Sequence, residues 1–169
     1  MKIELKNVKH SEFASHETNC FEASVYIDGV RAGIVENGGY GACNNYHPHE
    51  LERTLSAYAK TLPHVVTDMR DPLDSSKIFT YEKNADHVIN ELLTEHLYAK
   101  DLKRALAKKI LYVAKDDGLI YETKTLTKLQ MQIYLAKANI EDVFKSKTIL
   151  NTLPLSEALS IYRAGGIHA

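Results

Sequence analysis

A chain of 169 residues, 44% hydrophobic and 25% charged, has the make-up of a globular protein that buries its own core. Its net charge of −1 argues against a protein whose main task is gripping a polyphosphate backbone, and no apolar run approaches the roughly 18 residues needed to span a bilayer. The opening Met1-Lys2-Ile3-Glu4-Leu5-Lys6 lacks the continuous apolar core of a secretory signal, so a cytosolic protein with Cys20 and Cys43 as free thiols is expected. Charge is unevenly spread: acids predominate up to residue 99 and Lys and Arg beyond it.

A first strand is predicted near 2–9. Phe21, Ala23, Val25 and Ile27 alternate with Glu22, Ser24, Tyr26 and Asp28, the period of two of a half-buried strand over 20–28. Asp28-Gly29 turns the chain, because both central residues of a tight hairpin turn need positive φ, and a second strand over 30–36 is expected to bury Val30, Ala32 and Ile34. After a glycine-rich stretch, Pro48 suits a helix start near 48–62, with Leu51, Leu55, Tyr58 and Leu62 on one face and Pro63 as its stop. Residues 64–83, holding Pro72, three aspartates and Ser75-Ser76, show no period and read as a surface connection.

Helical composition then runs over 84–109, with a kink or break expected near Lys100-Asp101. A second hairpin, 110–115 and 119–124, is turned by Asp116-Asp117-Gly118. Thr127 caps a helix over 127–138, and Pro154 opens a last one over 154–163. The order predicts an α+β fold with antiparallel strands. It reads as one domain over 1–169, with lobes 1–66 and 84–169 joined by 67–83.

The unusual chemistry lies between Gly38 and His49. A metal reading uses Cys43, His47 and His49, with His16 and Cys20 upstream, residue types that suit zinc; the close cysteine pairs of structural zinc sites are missing. A nucleotide reading uses the glycines before a helix start, but Glu50 and Glu52 occupy the first turn and would repel phosphate. No catalytic set emerges: Cys43, the histidines and Tyr40 or Tyr46 have no spacing that fixes a nucleophile against a base. Asp68, Asp71 and Asp74 read as solvated or capping carboxylates, and Lys100, Arg104 and Lys108 as the wet face of a helix. A recognition surface formed by Gly38, Gly39, Tyr40, Asn44, Asn45, Tyr46, His47 and His49 fits the mixture, since tyrosine gives contact area at low entropic cost; a conformationally demanding loop whose tyrosines pack on the sheet fits it equally. A small metal-dependent enzyme or nucleotide-binding protein is the alternative. No cofactor is called for.

Val25-Tyr26-Ile27-Asp28-Gly29 with Ala32-Gly33, then Asn37-Gly38-Gly39-Tyr40-Gly41, Asp101-Leu102-Lys103-Arg104, and Ile149-Leu150-Asn151-Thr152-Leu153-Pro154-Leu155-Ser156-Glu157-Ala158 with Tyr162-Arg163 together resemble a family of short bacteriophage and prophage proteins. That resemblance implies a genetic setting and no chemistry. The expectation is a phage accessory protein in the host cytosol that binds a host or defence-system protein, such as a CRISPR effector, and contacts neither nucleic acid nor membrane as its main partner.

Overall fold

The computed structural model describes residues 1–114, 118–138 and 147–165. The α+β expectation holds: antiparallel sheets of four, two and three strands are combined with α-helices. The chain forms two compact units, Met1–Thr94 and Glu95–Ala169. The division therefore falls inside a helix and not in 67–83, where a hairpin stands instead of the expected plain connection.

In the first unit, β1 (Ile3–Ser11), β2 (Cys20–Ile27), β3 (Val30–Gly38) and β4 (Asn45–His47) form one sheet in sequence order. The β2–β3 turn uses Asp28 and Gly29 at φ 49° and 84°, as the Asp-Gly pair predicts. Phe21, Ala23 and Val25 are buried, as their alternation predicts. The expected inward set on β3 is corrected. Tyr26 pairs with Arg31 but Val25 with Gly33, so Ala32 is an extra residue that flips the following side chains. Val35 and Asn37 go inside, while Val30 is 71% exposed. Gly33 then lies where a Cβ would meet the His47 carbonyl oxygen at 2.2 Å and Leu51 Cδ2 at 2.9 Å, which lets β4 and the next helix sit close.

That helix, α1 (His49–Ala59), follows Pro48 and buries Leu51, Leu55 and Ala59. It stops before Pro63, at Lys60, whose N–H returns to Ser56 O. Strands β5 (Val65–Arg70) and β6 (Ile78–Tyr81) pair antiparallel. Their connection is ordered by its own carboxylates. Asp71 Oδ1 accepts from Leu73 N at 2.8 Å, and Asp74 Oδ1 from Ser76 N at 3.1 Å and Ser76 Oγ at 2.6 Å.

Helix α2 (Ala85–Leu106) is continuous across Lys100-Asp101, without the expected break; its 22 residues span about 33 Å. It buries Ala85, Val88, Ile89 and Leu93 in the first unit and Leu102 in the second.

In the second unit, β7 (Leu111–Ala114) pairs with β8 (Ile120–Glu122) on one side and β9 (Lys147–Ile149) on the other. Lys115, Asp116 and Asp117, most of the expected second turn, lie outside the described residues. Thr127 caps α3 (Lys128–Ala138) as expected: its Oγ1 accepts from Gln130 N at 3.3 Å while Gln130 Oε1 accepts from Thr127 N at 2.8 Å. A 3₁₀ turn (Leu150–Thr152) leads to α4 (Leu155–Ala164), preceded by Pro154. Asn151 staples this unit together, accepting from Leu111 N at 2.9 Å and donating to Leu106 O at 3.2 Å and Lys109 O at 2.9 Å. Leu102, Leu111, Ile120, Leu150, Ala158 and Tyr162 form its core.

Among the described residues no helix is long and apolar enough to cross a membrane.

Candidate functional site: a double loop at one end of the first sheet

Beyond Asn37 the chain leaves the sheet and makes a short excursion before rejoining it at β4. Asn37 faces inward and is 6% exposed, so its amide must be satisfied by protein. Its Oδ1 accepts from Thr18 Oγ1 at 2.8 Å and from Gly39 N at 2.8 Å, and its Nδ2 donates to Ala42 O at 2.8 Å and Asn44 Oδ1 at 3.1 Å. One side chain thereby ties the excursion to the loop between β1 and β2. Gly39 completes the junction: its carbonyl accepts from the N–H groups of His16 at 3.0 Å, Glu17 at 2.9 Å and Thr18 at 3.4 Å.

The β1–β2 loop is braced in turn. Ser15 Oγ donates to Ser11 O at 2.7 Å and accepts from Cys20 N at 2.8 Å. Two loops, 11–19 and 38–44, are thus locked into one rim.

That rim displays aromatic rings to water. Phe13 is 95% exposed and Tyr40 71% exposed, and Tyr40 stacks on His16 with ring centroids 5.2 Å apart and planes at 24°. Gly41 follows at φ +83°, with the Glu17 carboxylate where a Cβ would stand.

The residues singled out from sequence divide. Gly38, Tyr40, Asn45, His47 and His49 are exposed, and Cys43 is exposed as a free thiol. Gly39, Asn44 and Tyr46 are buried, so these three support the surface and do not form it. Tyr46 donates from its hydroxyl to Asp86 Oδ1 at 2.6 Å, and Asn44 Nδ2 reaches Asn90 Oδ1 at 3.4 Å, so both anchor the excursion to α2. Burial, and then the hydrogen bond to Asp86, push the Tyr46 phenol well above its ordinary range.

Tyr46→Phe is expected to destabilise the chain by about 1–3 kcal/mol, because it strips the Asp86 carboxylate of a charge-assisted donor. Since the folded state raises the phenol's pKa, its contribution is complete below about pH 10, the unfolded value, and is lost as pH rises through the higher folded one. Urea midpoints measured on either side of about pH 10 should therefore fall more steeply for the parent than for the Phe variant. Parallel slopes would contradict this assignment.

The metal reading gathers no support from position. His47 lies 3.6 Å from Glu36 and His49 3.2 Å from Glu52, each in its own pair, and among the described residues no three His, Cys, Asp or Glu side chains converge as metal ligands would. The nucleotide reading meets Glu50 and Glu52 in the first turn of α1, as the sequence suggests.

The sequence pattern left unmarked Phe13 as a surface residue, Asn37 as the hub of the two loops and Glu17 as the side chain against Gly41. The available signal was a lone phenylalanine in a polar stretch between two strand patterns. No protein-family model, curated protein or solved structure matches the chain.

Proposed function

We propose that this chain is a protein-binding accessory protein of the bacteriophage type, and that the rim bearing Phe13, His16 and Tyr40 is its contact surface. The observation that carries this reading is the exposure of Phe13, nearly complete, and of most of Tyr40 on loops locked by buried Asn37. An aromatic ring left in water forgoes about 2–3 kcal/mol of burial, and Phe13 has no packing role to justify its place. A locked loop loses little entropy on association, so the area it covers converts efficiently into affinity. The target class, a component of a bacterial antiviral defence system such as a CRISPR effector, follows from the sequence resemblance alone.

The test is co-purification from bacterial lysate, with Phe13→Ala and Tyr40→Ala beside the parent chain. Each substitution is expected to weaken capture of one specific partner by about thirtyfold, while the thermal midpoint stays close to the parent's. Capture that survives both substitutions unchanged would move the contact surface elsewhere.

A further inference from the structure

The rim continues into a groove of about 510 Å³ over the end of the sheet, with Gly38, Cys20, Lys9, Glu22, Glu36 and Asn45 among its walls. Gly38 joins the two features, because the Tyr40 ring packs above it; a Cβ there would lie 3.6 Å from Tyr40 Cδ2. Strand register explains the groove's polarity. Lys9 pairs with Glu22, Glu22 with Glu36 and Glu36 with Asn45, so one row crossing all four strands sets two carboxylates directly opposite each other.

Like charges in facing positions destabilise a sheet unless each finds a cation. Lys9 neutralises Glu22 at 2.8 Å. Glu36 is left with His47 Nε2 at 3.6 Å, a partner that attracts it only when protonated. On the rim itself, Glu12 and Glu17 are exposed, and no Lys or Arg lies between Ser11 and Asn19.

We infer that the partner presents an arginine-bearing segment, whose guanidinium stacks on Tyr40 and meets the Glu36 carboxylate in the groove. This rests on the proposed contact surface and names its chemistry. Residues 36 and 38 lie on one face of β3, about 6.6 Å apart at the usual rise, and Tyr40 packs over Gly38; His16 covers one side of the Tyr40 ring, so an arginine laid along this face stacks on the ring's open side and turns its planar, forked head toward Glu36. The same carboxylates would repel a phosphate backbone, which sets nucleic acid aside as the occupant.

The experiment titrates the isotopically labelled full chain with acetyl-Gly-Arg-Gly-Arg-Gly-amide, following backbone amide shifts, with the Arg→Glu peptide as the matched control. Saturable shifts are expected at residues 13–18, 36–41 and 45, absent with the acidic peptide and weakened by added salt. Glu36→Gln and Tyr40→Ala should each raise the dissociation constant by at least about fivefold, with amide spectra otherwise like the parent's. No saturation up to about 10 mM, an equal response to the acidic peptide, or indifference to Glu36→Gln would overturn the inference. The two ideas fail separately. Partner capture that is lost in Phe13→Ala but unchanged in Glu36→Gln overturns the arginine assignment and leaves the contact surface standing, whereas capture indifferent to Phe13 and Tyr40 removes the surface itself.

Discussion

Asn37→Leu is expected to release the double loop and lower stability by about 3 kcal/mol or more. The leucine removes two acceptor contacts and two donor contacts at a position 6% exposed. Each orphaned group in such a place costs about 1–3 kcal/mol, but water reaching the loosened loop recovers part of the sum. Urea unfolding reads the total, and hydrogen exchange at the amides of His16, Glu17 and Gly39 reads its location. Asn37→Asp keeps both accepting contacts while turning a carboxylate toward Ala42 O and Asn44 Oδ1. Its defect should therefore shrink as pH falls and the carboxyl takes up a proton, because the folded state raises that pKa. A leucine variant with unchanged exchange at Glu17 would show that the hub does not hold the rim.

The second large effect separates two glycines with almost the same φ. Gly29 and Gly39 have φ of +84° and +88°, so alanine at either pays the left-handed penalty of about 1–2 kcal/mol. Their surroundings differ. A Cβ at Gly29 meets nothing within 4 Å, whereas at Gly39 it would lie 2.1 Å from the Ala14 carbonyl oxygen and 3.0 Å from Cys20 Cβ. Backbone atoms cannot swing aside as a flexible side chain would, so the loops must part. Gly29→Ala should lose about 1 kcal/mol and Gly39→Ala about 3 kcal/mol or more, with the thermal midpoint falling in proportion. Only the second should expose the amides of residues 16–18 to exchange, since these donate to the Gly39 carbonyl. Equal losses at the two positions would mean that the close approach contributes nothing.

Periodicity made much of the fold legible. Phe21, Ala23 and Val25 announce a strand because local sterics and burial agree there, and the Asp28-Gly29 turn needs only residues adjacent in sequence. The short strands escaped for the opposite reason. Asn45–His47 is a strand only because the edge of β3 offers Ile34, Val35 and Glu36 to pair with, which is not written in Asn-Tyr-His. Lys147–Ile149 likewise owes its state to β7. The Ala32 bulge shows the same limit from inside a correctly predicted strand: one extra residue reverses which side chains face in, and its local mark, the lone Gly33, signals a bulge or a close approach without saying which residue is extra. At the candidate site, composition pointed to Gly38–His49 but left support and surface unsorted. Tyr40 and Tyr46 look alike in sequence, and only the Asp86 hydroxyl acceptor, forty residues on, makes one of them a buried anchor. Phe13 stayed hidden because its loop has no period; its rigidity comes from the Gly39 carbonyl across the gap.

Among the described residues, strand β1 stands at the margin of its sheet, with β2 on one side and no further strand on the other. Its pairing with β2 slips between Lys6 and Lys9, where Asn7 turns to φ 54°. A regular nine-residue margin would be a template on which another extended chain could lie down, the first step toward fibrous aggregates. The irregularity interrupts that template midway, and the charged side chains along β1, Glu4, Lys6 and Lys9, would have to give up water for a second strand to pair there. The open side of β1 is in this way kept from pairing, backbone to backbone, with a second copy of the chain.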